Sequence, residues 1–350
     1  MHQIVFVVVF LIALAGSVLL TALMRALAFR WGLVDRPDHR KIHKHPTPLL
    51  GGVAIYFSFA GSILFGSHFL LDFPAPPSLH AILLASLIVV VLGLYDDLKG
   101  SSAEIKFLWQ LAAALIVIQA GIRIDQIKIP FFEYIDFGIW AWPVTCLWLV
   151  GLSNAFNLID GLDGLAAGVA MFAAFTIFAT AVRWGETEVA VLCISLAGCL
   201  LGFLRYNFHP ARIFMGDAGS LLLGFLLGVL SIMEGSKSTA GVAFLIPITA
   251  LAIPILDTSI AIVRRVRNGR QIFLADREHI HHRLLHIGLS HRQAVLIIYL
   301  ASLYLGIVSF GMTFVPPDPR AVVFGVLVVS GTLILRRWSS VYKASVGGSA

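Results

Sequence analysis

Long apolar runs, repeated along the chain and separated by short polar stretches, constrain this sequence more than any single motif does. In lipid, backbone N–H and C=O groups must be satisfied internally, so a run of about 20 apolar residues is read as a bilayer-crossing helix. About eleven candidates are found, over 3–24, 50–71, 80–95, 107–121, 139–156, 164–182, 188–205, 218–233, 241–263, 293–314 and 321–335. Several are short, and tilt or polar residues at their ends must complete the crossing. At 59% hydrophobic and 13% charged residues, the composition hides no soluble domain, and the polar stretches near 25–48 and 264–292 are loops. The expectation is an all-α polytopic membrane protein of 10 or 11 transmembrane helices, a single domain over 1–350 with a frayed tail at 345–350.

Basic residues orient the bundle. The first run lacks a basic leader and is followed by basic residues, which predicts an uncleaved span with its N-terminus outside. On that register all but five of the 25 Lys and Arg fall in inside loops, the exceptions being Arg123, Lys128, Arg183, Lys237 and Arg320. The positive-inside rule then places the C-terminus in the cytoplasm, with an odd number of spans. The alternation of Ile122, Ile124, Ile127 and Ile129 around Pro130 predicts a small exported hairpin over 122–137. Cys146, Cys193 and Cys199 all sit in apolar runs and read as packed thiols, with no disulfide framework or CxxC signature.

The same orientation gathers the chemistry. Asp96, Asp97, Asn157, Asp160, Asp163, Asn207, Asp217 and the run His279-Ile-His281-His282 all map to the cytoplasmic ends of spans. An ionised carboxylate at mid-bilayer costs roughly 2.5–3.5 kcal/mol on insertion scales, so acids at span ends belong in a polar cavity or on an ion. Adjacent carboxylates such as Asp96 and Asp97 repel, and a hard divalent cation, Mg2+ or Mn2+, relieves the repulsion. Magnesium binds through one or two carboxylates plus substrate phosphates, which points to a phosphate-bearing substrate. Lys41, Lys44, Arg264, Arg265, Arg267, Arg270 and the histidines can neutralise a diphosphate, although Lys and Arg beside a span also serve topology and lipid contact. A zinc site at His279, His281 and His282 is the competing reading, disfavoured by the surrounding oxygen donors.

Six motifs occur in order: His43-Lys44-His45-Pro46-Thr47-Pro48-Leu-Leu-Gly51-Gly52; Gly93-Leu-Tyr-Asp96-Asp97-Leu-Lys99; Asn154-Ala-Phe-Asn157-Leu-Ile-Asp160-Gly-Leu-Asp163-Gly164; Asn207-Phe-His-Pro210-Ala211-Arg-Ile-Phe214-Met-Gly216-Asp217-Ala-Gly219-Ser220; Pro254-Ile-Leu-Asp257; and His279-Ile-His281-His282-Arg283-Leu. Together they resemble the polyprenyl-phosphate N-acetylhexosamine-1-phosphate transferases of glycosyltransferase family 4. They cover about residues 35–292. The likeness is to the bacterial branch that loads N-acetylglucosamine phosphate onto undecaprenyl phosphate for O-antigen, common-antigen or teichoic-acid assembly. The muramoyl-pentapeptide branch usually carries three histidines where this chain has His281-His282-Arg283.

The resemblance implies a bacterial inner-membrane enzyme, its active site on the cytoplasmic face, that joins a UDP-N-acetylhexosamine to undecaprenyl phosphate and releases UMP. It implies Asp217 as the main metal ligand, with Asp97 beside it, and Asp96 or Asp97 as the base for the acceptor phosphate. Asp160 would shape the metal site. Lys44, Asp163, Asn207 and Phe214 would surround the uridine, with Asn157, His279, Arg264 and Arg265 as further substrate contacts. His281 and His282 would meet the diphosphate, and Asp257 is a weaker, structural candidate. No nucleic-acid partner is expected, and a homodimer is left open. A cation-coupled transporter would place its acids near mid-span in related halves. A CDP-alcohol phosphotransferase would need an Arg that Asp163-Gly-Leu-Ala-Ala lacks.

Overall fold

The computed structural model describes residues 2–35, 46–69, 77–128, 134–237, 244–269 and 278–314. Its helices are α1 (His2–Trp31), α2 (Gly51–Phe69), α3 (Pro77–Lys99), α4 (Ala103–Gln119), α5 (Ala141–Ile159), α6 (Leu165–Trp184), α7 (Thr187–Asn207), α8 (Gly216–Lys237), α9 (Leu245–Ala250), α10 (Ala252–Arg267), α11 (Ile280–His286) and α12 (His291–Gly311). Eight segments among the described residues are long and apolar enough to cross a membrane. The protein is a multi-pass helical membrane protein.

Two expected spans come out differently from the sequence reading. The run expected over 107–121 is helix α4, which starts four residues earlier and ends two earlier, and at 17 residues it is shorter than the eight membrane-length segments. Among its described residues, the run expected over 241–263 forms two helices, α9 and α10, broken at Leu251. Pro254, near the start of α10, has no N–H to return to the preceding turn, so the ladder cannot run through. The segment 321–335 and the tail 345–350 lie outside the described residues. Helices also run further than hydropathy alone marks: α1 continues to Trp31, and α3 continues to Lys99, carrying Asp96 and Asp97 in its last turns.

The hairpin forms as expected. Strands β3 (Gln126–Lys128) and β4 (Tyr134–Asp136) pair antiparallel, Ile127 facing Ile135. A second short ladder joins β1 (Val34–Asp35) to β2 (Thr47–Pro48) at the other end of the bundle.

Helix α8 runs through the centre, packed on α2, α3, α5, α6 and α7, and about nine-tenths of its apolar window is buried. Small residues allow this. A Cβ on Gly52 or Gly93 would collide with the backbone of Ala218 and Gly219, so α2 and α3 approach the first turn of α8 at backbone distance. Residues 213–215 then run alongside the start of α2: Phe214 N donates to Pro48 O at 2.8 Å, Gly51 N to Phe214 O at 3.0 Å, and Gly52 N to Met215 O at 3.0 Å. The ends of α3, α5 and α7 and the starts of α4, α6, α8 and α12 therefore meet at one end of the bundle, opposite the β3–β4 hairpin.

Candidate active site

A cavity of about 690 Å3 opens at that end, lined among others by Asp97, Asn157, Asp160, Gly161, Asp163, Asn207, His209, Phe214, Asp217, His282 and His291. The carboxylates are held by different means. Asp97, on the last turns of α3, accepts hydrogen bonds from the backbone N–H groups of Asp217 at 2.8 Å and Ala218 at 3.2 Å, capping α8. A carboxylate there satisfies open donors and complements the helix dipole. Gly216 makes this possible twice over: its φ is +66°, in the left-handed region, and a side chain would strike Asp97.

Asp217 projects from the first turn of α8. Its Oδ1 accepts from Asn157 Nδ2 at 2.9 Å, and its Oδ2 from Lys106 Nζ at 2.9 Å. Asn157 also reaches Ser220 Oγ at 3.0 Å, so α5 is keyed to α8 by one amide. Asp96 pairs with the same Lys106 ammonium and accepts from Ser101 Oγ at 2.6 Å. The turn at 100–102 and the Ser102 cap on α4 fold Lys106 back over the acids.

Asp160 follows α5 and faces the cavity. Burial, followed by the negative charges of Asp217, Asp97 and Asp163, pushes its carboxyl up to about 8. Lys106 is the ammonium that pairs with two of these acids, Asp96 and Asp217. Convergent hard oxygen donors with so little compensating charge fit a divalent cation of the magnesium or manganese type.

The far wall is built differently. Asp163 Oδ2 takes the backbone N–H of Ala211 at 3.0 Å and lies 2.7 Å from His209 Nδ1. His209 stacks on His291, centroids 4.1 Å apart, and Arg292 donates twice to the His209 carbonyl. The ligating atoms of Asp163, His209 and His291 lie within 4.8 Å of one another. The two rings are nearly parallel, however, at 19°, so their in-plane lone pairs do not converge on one point. Asn207 is buried, with both ends of its amide engaged: Gly164 N donates to its Oδ1 at 3.0 Å, and its Nδ2 donates to Ile213 O at 2.9 Å. It fixes the loop that carries His209 and Phe214.

The histidine run divides. His282 lines the cavity. His279 points inward, its Nδ1 2.8 Å from Asp257 Oδ2, while Ile280 N donates to Asp257 Oδ1 at 2.9 Å. His281 is buried against Gly161, where a Cβ would strike the ring. Burial, then the neighbouring His282, lowers its pKa to about 4, with the Asp257 charge opposing. The His279 and His281 rings are stacked 5.9 Å apart at 3°, an arrangement unlike a three-histidine metal site.

Most of the acids and amides expected from sequence thus converge: Asp96, Asp97, Asn157, Asp160, Asp163, Asn207, Phe214, Asp217 and His282. Arg264 and Arg265 do not line the cavity. Both sit in the last turn of α10, where Arg264 pairs with Glu278 at 3.3 Å and borders a separate groove with Ile260 and Val263. Lys44, Lys41 and Arg270 lie outside the described residues. Sequence reasoning missed Lys106, His209 and His291 as site residues. Lys106 sits one short turn beyond Asp96-Asp97, which is a readable signal; His291 has none, since its place depends on how α12 docks.

Comparisons with known proteins give the family. The profile of Glycosyl transferase family 4 matches residues 79–235. A "probable undecaprenyl-phosphate N-acetylglucosaminyl 1-phosphate transferase" of Bacillus subtilis is 41% identical, over 84% of this chain and 81% of its own length. The chain belongs to glycosyl transferase family 4. Within that family it is also similar to a decaprenyl-phosphate N-acetylglucosaminephosphotransferase of Mycolicibacterium smegmatis, at 36% identity over 90% of this chain and 84% of that one. An undecaprenyl-phosphate alpha-N-acetylglucosaminyl 1-phosphate transferase of Escherichia coli is 31% identical, over 90% and 87%. The family match runs from within α3 to within the last turn of α8, the stretch that supplies Asp96, Asp97, Asp160, Asp163, Asp217 and Lys106.

Proposed function

We propose that this chain transfers N-acetylglucosamine 1-phosphate from UDP-N-acetylglucosamine to undecaprenyl phosphate, releasing UMP. The observation that carries the reading is one cavity, at the ends of membrane-length helices, lined by Asp97, Asp160 and Asp217 together with Asp163, His209 and Phe214. Relatives across 84–90% of the chain bear names for this activity and favour it over the muramoyl-pentapeptide branch.

In net terms an oxygen of the acceptor phosphate bonds to the donor's β-phosphorus, and the bridge to the α-phosphorus breaks. One phosphoanhydride replaces another, so the work is positioning and charge neutralisation. Asp217, supported by Asp97 and Asp160, would hold Mg2+ or Mn2+, which neutralises phosphate charge when bound. Asn157 orients Asp217 by holding one of its oxygens. Phe214 offers a face for the uracil, and Asp163 a carboxylate for its N–H. His282 lies on the cavity wall within the reach of a diphosphate. Asp96 is the better candidate for orienting the acceptor phosphate, because Asp97 is committed to capping α8. The site faces the cytoplasm on this reading, since Arg205, Arg212, Arg264, Arg265, Arg267, Arg283 and Arg292 lie at its end, and Arg123, Lys128 and Arg183 at the other.

Purified protein is given undecaprenyl phosphate and a panel of UDP-sugars, with and without a chelator, and UMP release is followed. Release with UDP-N-acetylglucosamine, abolished by chelation and restored by Mg2+ or Mn2+, is the expected result. No release with any UDP-N-acetylhexosamine overturns the activity, and full turnover in chelator overturns the metal.

A further inference from the structure

Lys106 stands where a cation of the acid cluster would stand. It rises from the first turns of α4, and its ammonium bridges two carboxylates from different helices, Asp96 on α3 and Asp217 on α8 at 2.9 Å. Asp97 lies within electrostatic range of both carboxylates, and Asp160 within range of Asp217. One ammonium therefore serves several acids. Its side chain is a quarter exposed, on a flexible four-carbon stem that is free to move if the pairing is lost.

Asn157 already holds the other Asp217 oxygen, so a divalent cation on this carboxylate would compete for the one that Lys106 holds. An ion bound to that oxygen would lie within a few ångströms of the ammonium, and like charges at about 4 Å in a site of effective dielectric about 20 repel by several kcal/mol. The two cations cannot share the carboxylate. We propose that Lys106 is an exchangeable counter-ion: its ammonium holds the cation position between Asp96 and Asp217 in the metal-free protein, and metal binding expels it. The freed ammonium then supplies a mobile positive charge for the phosphates that arrive in the cavity. This rests on the metal reading above, and it gives Lys106 a positioning role that alternates with the metal.

The test measures Mn2+ binding to the full-length protein in detergent by electron paramagnetic resonance, without substrates, so that activity is not the readout. Wild type should bind Mn2+. Lys106→Met, lacking the competing ammonium, should bind it about tenfold tighter, while Lys106→Arg should stay within about threefold of wild type. In parallel, amine-selective labelling of the wild type with peptide mass spectrometry should show Lys106 becoming severalfold more reactive when Mn2+ is added. Unchanged or weaker Mn2+ binding by a folded Lys106→Met overturns the exchange, as does unchanged or reduced labelling; the labelling arm decides if that variant does not fold. Absence of Mn2+ binding to wild type overturns the metal reading and the exchange together.

Discussion

Two acids on the same helix show how little an acidic residue means by itself. Asp217 and Glu234 lie near opposite ends of α8, about 25 Å apart at 1.5 Å per residue. Asp217 meets an amide and an ammonium from two other helices, sits beside further carboxylates and faces a cavity. Glu234 is fully buried, bonded to the Thr180 hydroxyl of α6, and its Oε2 has no partner among the described residues. Chemistry is available where acids converge with donors and solvent, whereas a lone acid in an apolar core holds two helices together.

The sharpest way to break this contrast is to neutralise each acid in turn. Asp217→Asn should cut turnover by about a hundredfold or more, beyond the tenfold to hundredfold typical of a metal site's supporting partners, with the melting temperature in detergent little changed. Glu234→Gln should leave turnover within about threefold, under about 0.7 kcal/mol of barrier. Equal losses from the two substitutions would erase the distinction.

Packing at the site end can be probed next. Gly93→Ala places a methyl against the Ala218 backbone, prising α3 from α8 and loosening the Asp97 cap. Destabilisation of about 1–3 kcal/mol, the range for overpacking, is expected together with lost turnover. Gly151→Ala on α5 has open space around it and should be neutral in both assays. A neutral Gly93→Ala would mean that the close approach of α3 is not what builds the site.

A smaller effect, confined to one wall, is expected of Phe214→Ala. Loss of a base-stacking face costs about 1–3 kcal/mol, so the KM for the UDP-sugar should rise about five- to 150-fold while undecaprenyl phosphate binds as before. A change in acceptor KM alone would exchange the roles of the two walls.

The mildest test is acid. Folded His281 protonates near pH 4, whereas an unfolded histidine does so near 6.5. Because the folded value is depressed, the stability tied to neutral His281 is fully present above about pH 6.5 and is lost as pH falls toward 4. The melting temperature should fall across that window, and His281→Asn should flatten the slope; an unchanged slope would place the sensitivity elsewhere.

Much of this was legible before any coordinates. Asp96-Asp97, Asn157, Asp160, Asp163 and Asp217 are polar groups at the ends of apolar runs, and the cost of charge in lipid marks them out. What sequence could not assign was direction. The motif His279-Ile-His281-His282 reads as a run of substrate contacts, with His281 and His282 on the diphosphate, yet one ring faces Asp257, one packs on Gly161 and only His282 faces the cavity. Asn207 reads as a substrate contact, yet its amide is spent on Gly164 and Ile213. Lys106 reads as a topology determinant until α4 is laid beside α3 and α8.

Most helices and their polar ends follow from local pattern, because a segment in lipid must satisfy its own backbone and cannot hide charge. The hairpin over 126–136 was likewise local, set by alternation. Only the tertiary structure decided that Lys106 meets Asp217 across 111 residues and that Asp97 caps a helix 120 residues away. Those contacts depend on glycines that let α2 and α3 touch the first turn of α8, and on rotations of whole helices about their axes. Rotation and approach are fixed by packing summed over many side chains, a quantity that no local pattern encodes.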